Sequence, residues 1–229
     1  MPMKTSLSES ELLNFVIRQM CNTIPDGIET QIDSDDIKVA LKRIQVCNEN
    51  VNFKYFMEDG QPIFDHLNGD HWSMFLYLLS HILYKKEKLT DASKLFNLNK
   101  ALCGIDAFYE IELPDIFYFC HPLGSVLGNG KYEDYLVVYQ GVTIGSDINP
   151  EGSGGIYPSI GKGCALLANT TLVGDCVIGE NVILAANAFI RNISVPDNTI
   201  VLGAQPNHKF IENKYNYRDY YFGWSIPRR

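Results

Sequence analysis

The sequence predicts an α+β chain in three parts. An N-terminal α-helical domain spans residues 1–104, a stack of short parallel strands spans 105–208, and an aromatic tail spans 209–229. Three observations predict it. Apolar residues before Gly104 recur at helical spacing behind capping signals. Beyond Gly104 charge thins out, while Val, Ile, Gly and Thr rise. Within that second region aliphatic residues stand six apart, at Ile160, Leu166, Leu172, Ile178, Leu184 and Ile190.

The helices come first. Ser8-Glu9-Ser10-Glu11 forms a capping box, and Leu12, Leu13, Val16 and Met20 follow on one face. Ser34 is placed to cap a second helix carrying Ile37, Leu41 and Ile44. Asp70, after Asn68-Gly69, is placed to cap a third. That helix is apolar on nearly all sides (Trp72, Met74, Phe75, Leu76, Leu79, Leu83), as expected where several faces are buried in a core or at a subunit contact. Thr90 opens a fourth, with Leu95, Phe96, Leu98 and Leu102.

A period of six belongs neither to a strand, which alternates, nor to a helix, which repeats every 3.6 residues. It fits a short strand plus a turn, with one inward residue per flat face. Three such units close a triangular coil, and stacked coils bury a continuous aliphatic column. Small or β-branched residues stand four positions after each aliphatic, at Cys164, Thr170, Cys176, Val182, Ala188 and Ser194, and Ile200 stands four after Pro196 in the next slot. The register extends to Leu202 past Pro196, and upstream through Ile144, Val138, Tyr132 and Val126. One break interrupts it. The step from Ile144 to Ile160 exceeds two hexads by four positions. The excess falls in Ser146–Gly155, whose Gly, Pro and Asn predict a loop thrown out from a corner. Loops on a rigid scaffold are where function tends to sit.

Composition excludes several classes. Lys plus Arg number 19 against 27 Asp plus Glu, a net charge of −8, so the basic footprint for nucleic acid is missing. No apolar run approaches the roughly 20 residues a membrane helix needs. Met1–Glu11 is polar, without the apolar stretch of a signal peptide, so a cytoplasmic location is expected. The six cysteines contain no C-x-x-C pair, and residues 122–207 hold no histidine. No metal is expected, and the cysteines read as reduced thiols.

Particular motifs then narrow the function. His121-Pro-Leu-Gly-Ser-Val-Leu-Gly128 is followed by Tyr139-Gln-Gly-Val-Thr-Ile-Gly145, the Gly-rich loop, and Tyr157-Pro-Ser-Ile-Gly161. In order and spacing these resemble the serine O-acetyltransferases, whose pattern runs D-H-A-T-G-x-x-x-G, L-Q-x-V-T-L-G-G, a loop, then R-H-P-K-I. Val201-Leu-Gly-Ala-Gln-Pro206 resembles that family's closing G-V-P-A-R. The resemblance covers roughly residues 70–208. It implies a left-handed parallel β-helix of hexapeptide repeats and an acetyl-CoA-dependent O-acetyltransferase. It also implies a homotrimer or a dimer of trimers.

Carried over residue by residue, the resemblance makes His121 the general base, because an alcohol is a poor nucleophile until a base takes its proton. Asp106 stands upstream at the family's own spacing and falls on the aspartate that orients the base. His81 also matches a family histidine, but its apolar helix marks it as structural. Gly145, Ala168 and Ala186 fall on positions that bind coenzyme A in the cleft between subunits.

The acceptor side departs from the family. Cys120 replaces the aspartate before the base, and Ile156 and Tyr157 replace an arginine and a histidine; these family residues grip serine. An isoleucine cannot pair with a carboxylate. A further family aspartate has Asp59 as its nearest candidate and Asp65 as its second. The expected acceptor is therefore a small hydroxyl compound lined by Cys120, Tyr157 and Asp59, with a sugar of surface polysaccharide synthesis ahead of free serine. A true serine O-acetyltransferase and a non-catalytic trimeric scaffold are the alternatives. Cys120 has aromatic neighbours, which favour a neutral thiol over a nucleophile. In the tail, Tyr215, Tyr217, Tyr220, Tyr221, Phe222 and Trp224 are expected to pack on their own or a neighbouring subunit. The chain ends Ile226-Pro-Arg-Arg229, unlike the isoleucine-terminated tail that docks into cysteine synthase, so that partner is not expected.

Overall fold

The computed structural model describes residues 2–149, 152, 154–215 and 217–223. Four helices open it. Helix α1, Glu9–Thr23, begins at the Ser8 capping box and buries Leu12, Val16 and Met20. Helix α2, Ser34–Asn50, is capped by Asp33 instead of Ser34, the Asp33 carboxylate accepting the N–H groups of Asp35 and Asp36. A negative side chain at this positive end of the helix adds charge stabilisation that a serine hydroxyl lacks. Helix α3, Gly69–Lys85, is capped by Asn68 and not by Asp70; the Asn68 side chain accepts from Asp70 and His71. Helix α4, Leu89–Cys103, starts just before Thr90 and stops at Gly104, whose φ of 68° supplies the left-handed cap.

Helix α3 is the centre of the helical part. Met74, Phe75, Leu76, Leu79 and Leu83 are fully buried. The helix packs between α2 and α4, and Tyr77 meets Phe117 of the first coil edge-on with ring centroids 5.8 Å apart. Its all-round apolarity is thus satisfied within the chain. A small sheet sits beside it: Met57–Glu58 and Gln61–Phe64 form a hairpin through Asp59-Gly60, with Lys4–Thr5 added parallel.

The second part is a left-handed parallel β-helix with three flat faces. One face stacks Lys131–Tyr132, Ser159–Ile160, Val177–Ile178 and Ser194–Val195. The second stacks Phe117–Phe119, Leu136–Val138, Ala165–Leu166, Ile183–Leu184 and Thr199–Leu202. The third stacks Asp106–Ala107, Val126–Leu127, Thr143–Gly145, Thr171–Val173 and Phe189–Arg191. Ser159 pairs with Val177 and Ala165 with Ile183, a spacing of three hexads to a coil. The six aliphatic residues from Ile160 to Ile190 are all buried in the column, as the period requires. The corners need a left-handed backbone, and asparagine supplies it: Asn169, Asn181, Asn187, Asn192 and Asn198 have φ between 52° and 62°. Their side chains ladder between coils, Asn181 to Asn198 at 2.9 Å.

The register differs from the sequence expectation in three places. At the start of the stack Leu127 points inward and Val126 is 43% exposed. At the end the inward residues are Val195 and Val201, and Leu202 faces out, because the step from Ile178 to its partner Val195 falls one position short of a full coil. Thr143 pairs with Thr171 across the inserted loop, so the insertion is longer than the four positions expected; Ile144 and Ile160 sit on successive faces. The insertion lies partly outside the described residues. At its base Asp147–Ile148 pairs antiparallel with Gly155–Ile156. The Arg191 guanidinium donates to Asp147 at 2.8 and 3.0 Å and holds its carboxyl well below the usual range.

The stack closes with Lys209–Glu212, which runs antiparallel on Thr199–Leu202. Helix α5, Tyr217–Phe222, then folds back onto the chain. Tyr221 and Phe222 are buried, and the Tyr221 carbonyl accepts the N–H of Asn52 at 2.6 Å. This part of the tail packs on its own subunit; Trp224 and Ile226–Arg229 lie outside the described residues. No described helix is long and apolar enough to cross a membrane.

Candidate active site

Strand pairing on the second face fixes what meets at its corner. Phe119, Val138, Leu166 and Leu184 are in register. One position beyond them stand Cys120, Tyr139, Leu167 and Ala185, and two beyond stand His121, Gln140, Ala168 and Ala186. Coils step by about 4.8 Å, so His121 tops a column of small and polar residues along one edge of the molecule. Beside that column lies a cavity of about 800 Å³. Tyr139, Gln140, Ala168 and Ala186 form one wall, and Tyr217 and Tyr220 of α5 form the other. Its size and apolar walls suit a small-molecule ligand.

His121 is 78% exposed at its side chain and sits at a φ of 50°. Its main-chain N–H donates to Asp70 Oδ1 at 2.9 Å, and its Nδ1 lies 3.5 Å from the same oxygen. The second oxygen, Oδ2, accepts the Tyr118 hydroxyl at 3.3 Å. Burial pushes the Asp70 carboxyl above its ordinary value, against the pull of the His121 N–H. Sequence reasoning misses this residue by making it a cap. Asn68 and Asp70 are both capping types and only one can cap; with Asn68 in place, the Asp70 carboxylate turns to the coil.

Cys120 is buried, and burial pushes its thiol up against the pull of the Tyr118 and Tyr139 hydroxyls. Both tyrosines are themselves pushed well above the usual phenol range by burial. The thiol is therefore neutral here, as its aromatic neighbours imply. The Tyr139 hydroxyl meets that of Tyr221 at 3.1 Å. A run of polar contacts thus links α5 to His121 through Tyr221, Tyr139, Cys120, Tyr118 and Asp70. Among the described residues, Asp70, Cys120 and His121 bring a carboxylate, a thiol and an imidazole within 4.8 Å of one another.

Other predicted residues lie elsewhere. Asp106 does not meet His121: it opens the third face, and Lys100 at the end of α4 holds it at 2.7 Å. Asp59 occupies the turn of the Met57–Phe64 hairpin, beside Lys4, and has no polar contact with His121 or Cys120. Gly145 and Tyr157 sit at another corner of the triangle, outside the cavity. Tyr157 stands over Gly128, where a Cβ would come within 2.5 Å of the Ile144 carbonyl oxygen and 2.9 Å of the Tyr157 ring, so glycine is required there. Ile156 is taken up by the loop base opposite Asp147. His81 bonds the Tyr109 carbonyl at 2.7 Å, a structural duty. Ala168 and Ala186 are brought together in the cavity wall; Gly145 is not among them.

The chain has relatives in both sequence and fold. Residues 157–192 match the family described as bacterial transferase hexapeptide (six repeats). A serine acetyltransferase of Staphylococcus xylosus is 30% identical over 138 residues, 60% of this chain and 61% of the relative. The chain thus spans about three fifths of that relative's length. Among solved structures, the Neisseria gonorrhoeae serine acetyltransferase in complex with serine superposes with a TM-score of 0.62 at 20% identity, covering 78% of this chain and 74% of that one. A serine acetyltransferase in complex with CoA gives 0.56 at 18% identity, covering 87% and 75%. At these identities the two structures show the shared fold. The chain is thus similar in sequence to serine acetyltransferases over about three fifths of their length, and it shares the fold of their solved structures.

Proposed function

We propose that the chain is an acetyl-CoA-dependent O-acetyltransferase whose acceptor is L-serine. The observation that carries the activity is the edge column, in which His121 stands in register above Gln140, Ala168 and Ala186 beside an 800 Å³ cavity. The small side chains of Ala168 and Ala186 leave room for a pantetheine arm to lie along the coil edge, with its thioester toward His121. His121 takes the proton of the acceptor hydroxyl as the oxygen attacks the thioester carbon. The tetrahedral intermediate collapses, the C–S bond breaks, and the imidazolium returns the proton to the coenzyme A sulfur. Acyl oxygen, sulfur and proton are all accounted for.

The serine reading replaces the sugar reading. The relatives and solved neighbours described above are named serine acetyltransferases, and the site holds an anion that the sequence did not predict. Asp70 places a carboxylate beside Cys120 and His121, so a substrate ammonium has a partner where Cys120 alone offers none. Gly145 and Tyr157, at a different corner from His121, reach it only if the corner of one chain faces the next. That supports a homotrimer with the site between subunits.

Steady-state kinetics test the proposal, with acetyl-CoA and either L-serine or a neutral nucleotide-linked sugar at matched concentration. Coenzyme A release with L-serine, at a kcat/KM at least about tenfold above the sugar's, is expected. Turnover of the sugar alone would refute the acceptor. Turnover of neither, with coenzyme A still binding, would favour a non-catalytic scaffold.

A further inference from the structure

We propose that Asp70 is the positioning residue of His121, the role that the family resemblance assigns to Asp106. The proposal rests on the reading of His121 as general base. The Asp70 carboxylate touches His121 twice. It accepts the main-chain N–H at 2.9 Å and stands 3.5 Å from Nδ1. The first contact fixes a backbone that holds a non-glycine residue at a φ of 50°, a conformation kept only where surrounding contacts determine it. The second sets the ring. An Nδ1–H directed at Asp70 leaves Nε2 unprotonated and facing outward, the tautomer a base needs. Contacts of this kind are commonly long in an unliganded site and shorten around the substrate.

No other described group of the chain claims this carboxylate more strongly. Asn68 does the capping of α3, and the other Asp70 oxygen accepts the Tyr118 hydroxyl at 3.3 Å. The neighbours that could carry a competing negative charge keep their protons. Burial pushes up Tyr118 and Cys120, and it pushes Cys103 at the end of α4 up to about 11. Asp70 is 13% exposed, so its attraction for an imidazolium is screened less than at a surface. Asp106 is committed to Lys100 at 2.7 Å and comes within ion-pair distance of no histidine of its own chain among the described residues.

Four variants and one spectrum test this. In Asp70→Asn, kcat is expected to fall on the order of 100-fold because the base is mis-set, KM for L-serine to rise because the same carboxylate faces its ammonium, and KM for acetyl-CoA to change less than about twofold because the cofactor edge is untouched. Asp70→Glu should recover part of the loss. Asp106→Asn should keep kcat within about threefold. His121→Ala should be nearly inert. Two-bond ¹H–¹⁵N spectra of the unsubstituted protein should show His121 as the Nδ1–H tautomer, and Asp70→Asn should shift population toward Nε2–H. An Nε2–H tautomer in the unsubstituted protein overturns the proposal whether or not any variant folds. So does an Asp106→Asn loss as large as that of Asp70→Asn. Full turnover in Asp70→Asn beside an inert His121→Ala removes the positioning role and leaves the base standing. Full turnover in His121→Ala removes the base itself.

Discussion

His71 and His121 lie at opposite ends of the exposure scale, and each leads to a measurement. His71 is fully buried between Phe56 and Phe64; its Nδ1 accepts the Asp65 N–H at 3.0 Å, and burial pushes it down to about 4. The unfolded chain binds this proton near pH 6.5 and the folded chain resists it until about pH 4. Stability attributable to His71 is therefore present above pH 6.5 and is lost as pH falls toward 4, by up to about 3 kcal/mol. The urea midpoint should drop through that window, and His71→Phe should flatten the drop even though it forfeits the Asp65 bond. For His121, Ala should lower kcat by on the order of 10² to 10⁴ while coenzyme A affinity stays within a factor of about two. Site legibility at this scale is uneven. The proposed base is readable because its motif is local in sequence. The carboxylate beside it is not, because α3 approaches the coil only after folding, and the choice of cap between Asn68 and Asp70 decides where that carboxylate points.

Elements show the same division between what is periodic and what is singular. The helices and the six-residue repeat are legible because many residues vote for each. The slips at Leu127 and Val195 are not, because one residue more or less leaves the aliphatic count intact and only pairing reveals it. The insertion is visible in sequence but reads short, since Ile144 and Ile160 fit the phase almost equally well with a skipped face. The corners supply a test of their own. Asn169 and Asn187 occupy left-handed backbone and bond each other at 3.3 Å. Replacing either with Ala should cost about 1–2 kcal/mol by urea unfolding, whereas Gly should be within a few tenths. Helix α5 makes a second test. Tyr221 is 4% exposed, bonds Tyr139 and sits beside the cavity. Tyr221→Ala should lose about 3 kcal/mol of stability and raise KM for acetyl-CoA. An unchanged KM in a folded Tyr221→Ala protein would separate the tail from the cofactor edge.

At the scale of the molecule the two parts meet through α3, whose N-terminal turn reaches the first corner of the β-helix and whose middle packs on Phe117. The proposed split of the site between corners would make assembly part of the chemistry. Light scattering at micromolar protein should report three chains or a multiple of three, and dilution that dissociates them should abolish turnover in step. A fully active monomer would contradict the inter-subunit site.

The strand Lys209–Glu212 has a consequence for how the protein behaves in a crowded solution. A column of parallel coils ends in unpaired backbone, and a second column could dock there and continue the stack indefinitely. Here the final rung of one face is covered by a strand running the opposite way, all four of its residues exposed and two of them charged. An incoming parallel coil meets the wrong polarity and finds Lys209 and Glu212 on the rim. The short reversal is placed to oppose growth of a parallel stack from that rung. Deleting it should leave the folded coils intact and turn a clear preparation into one that forms fibres on standing.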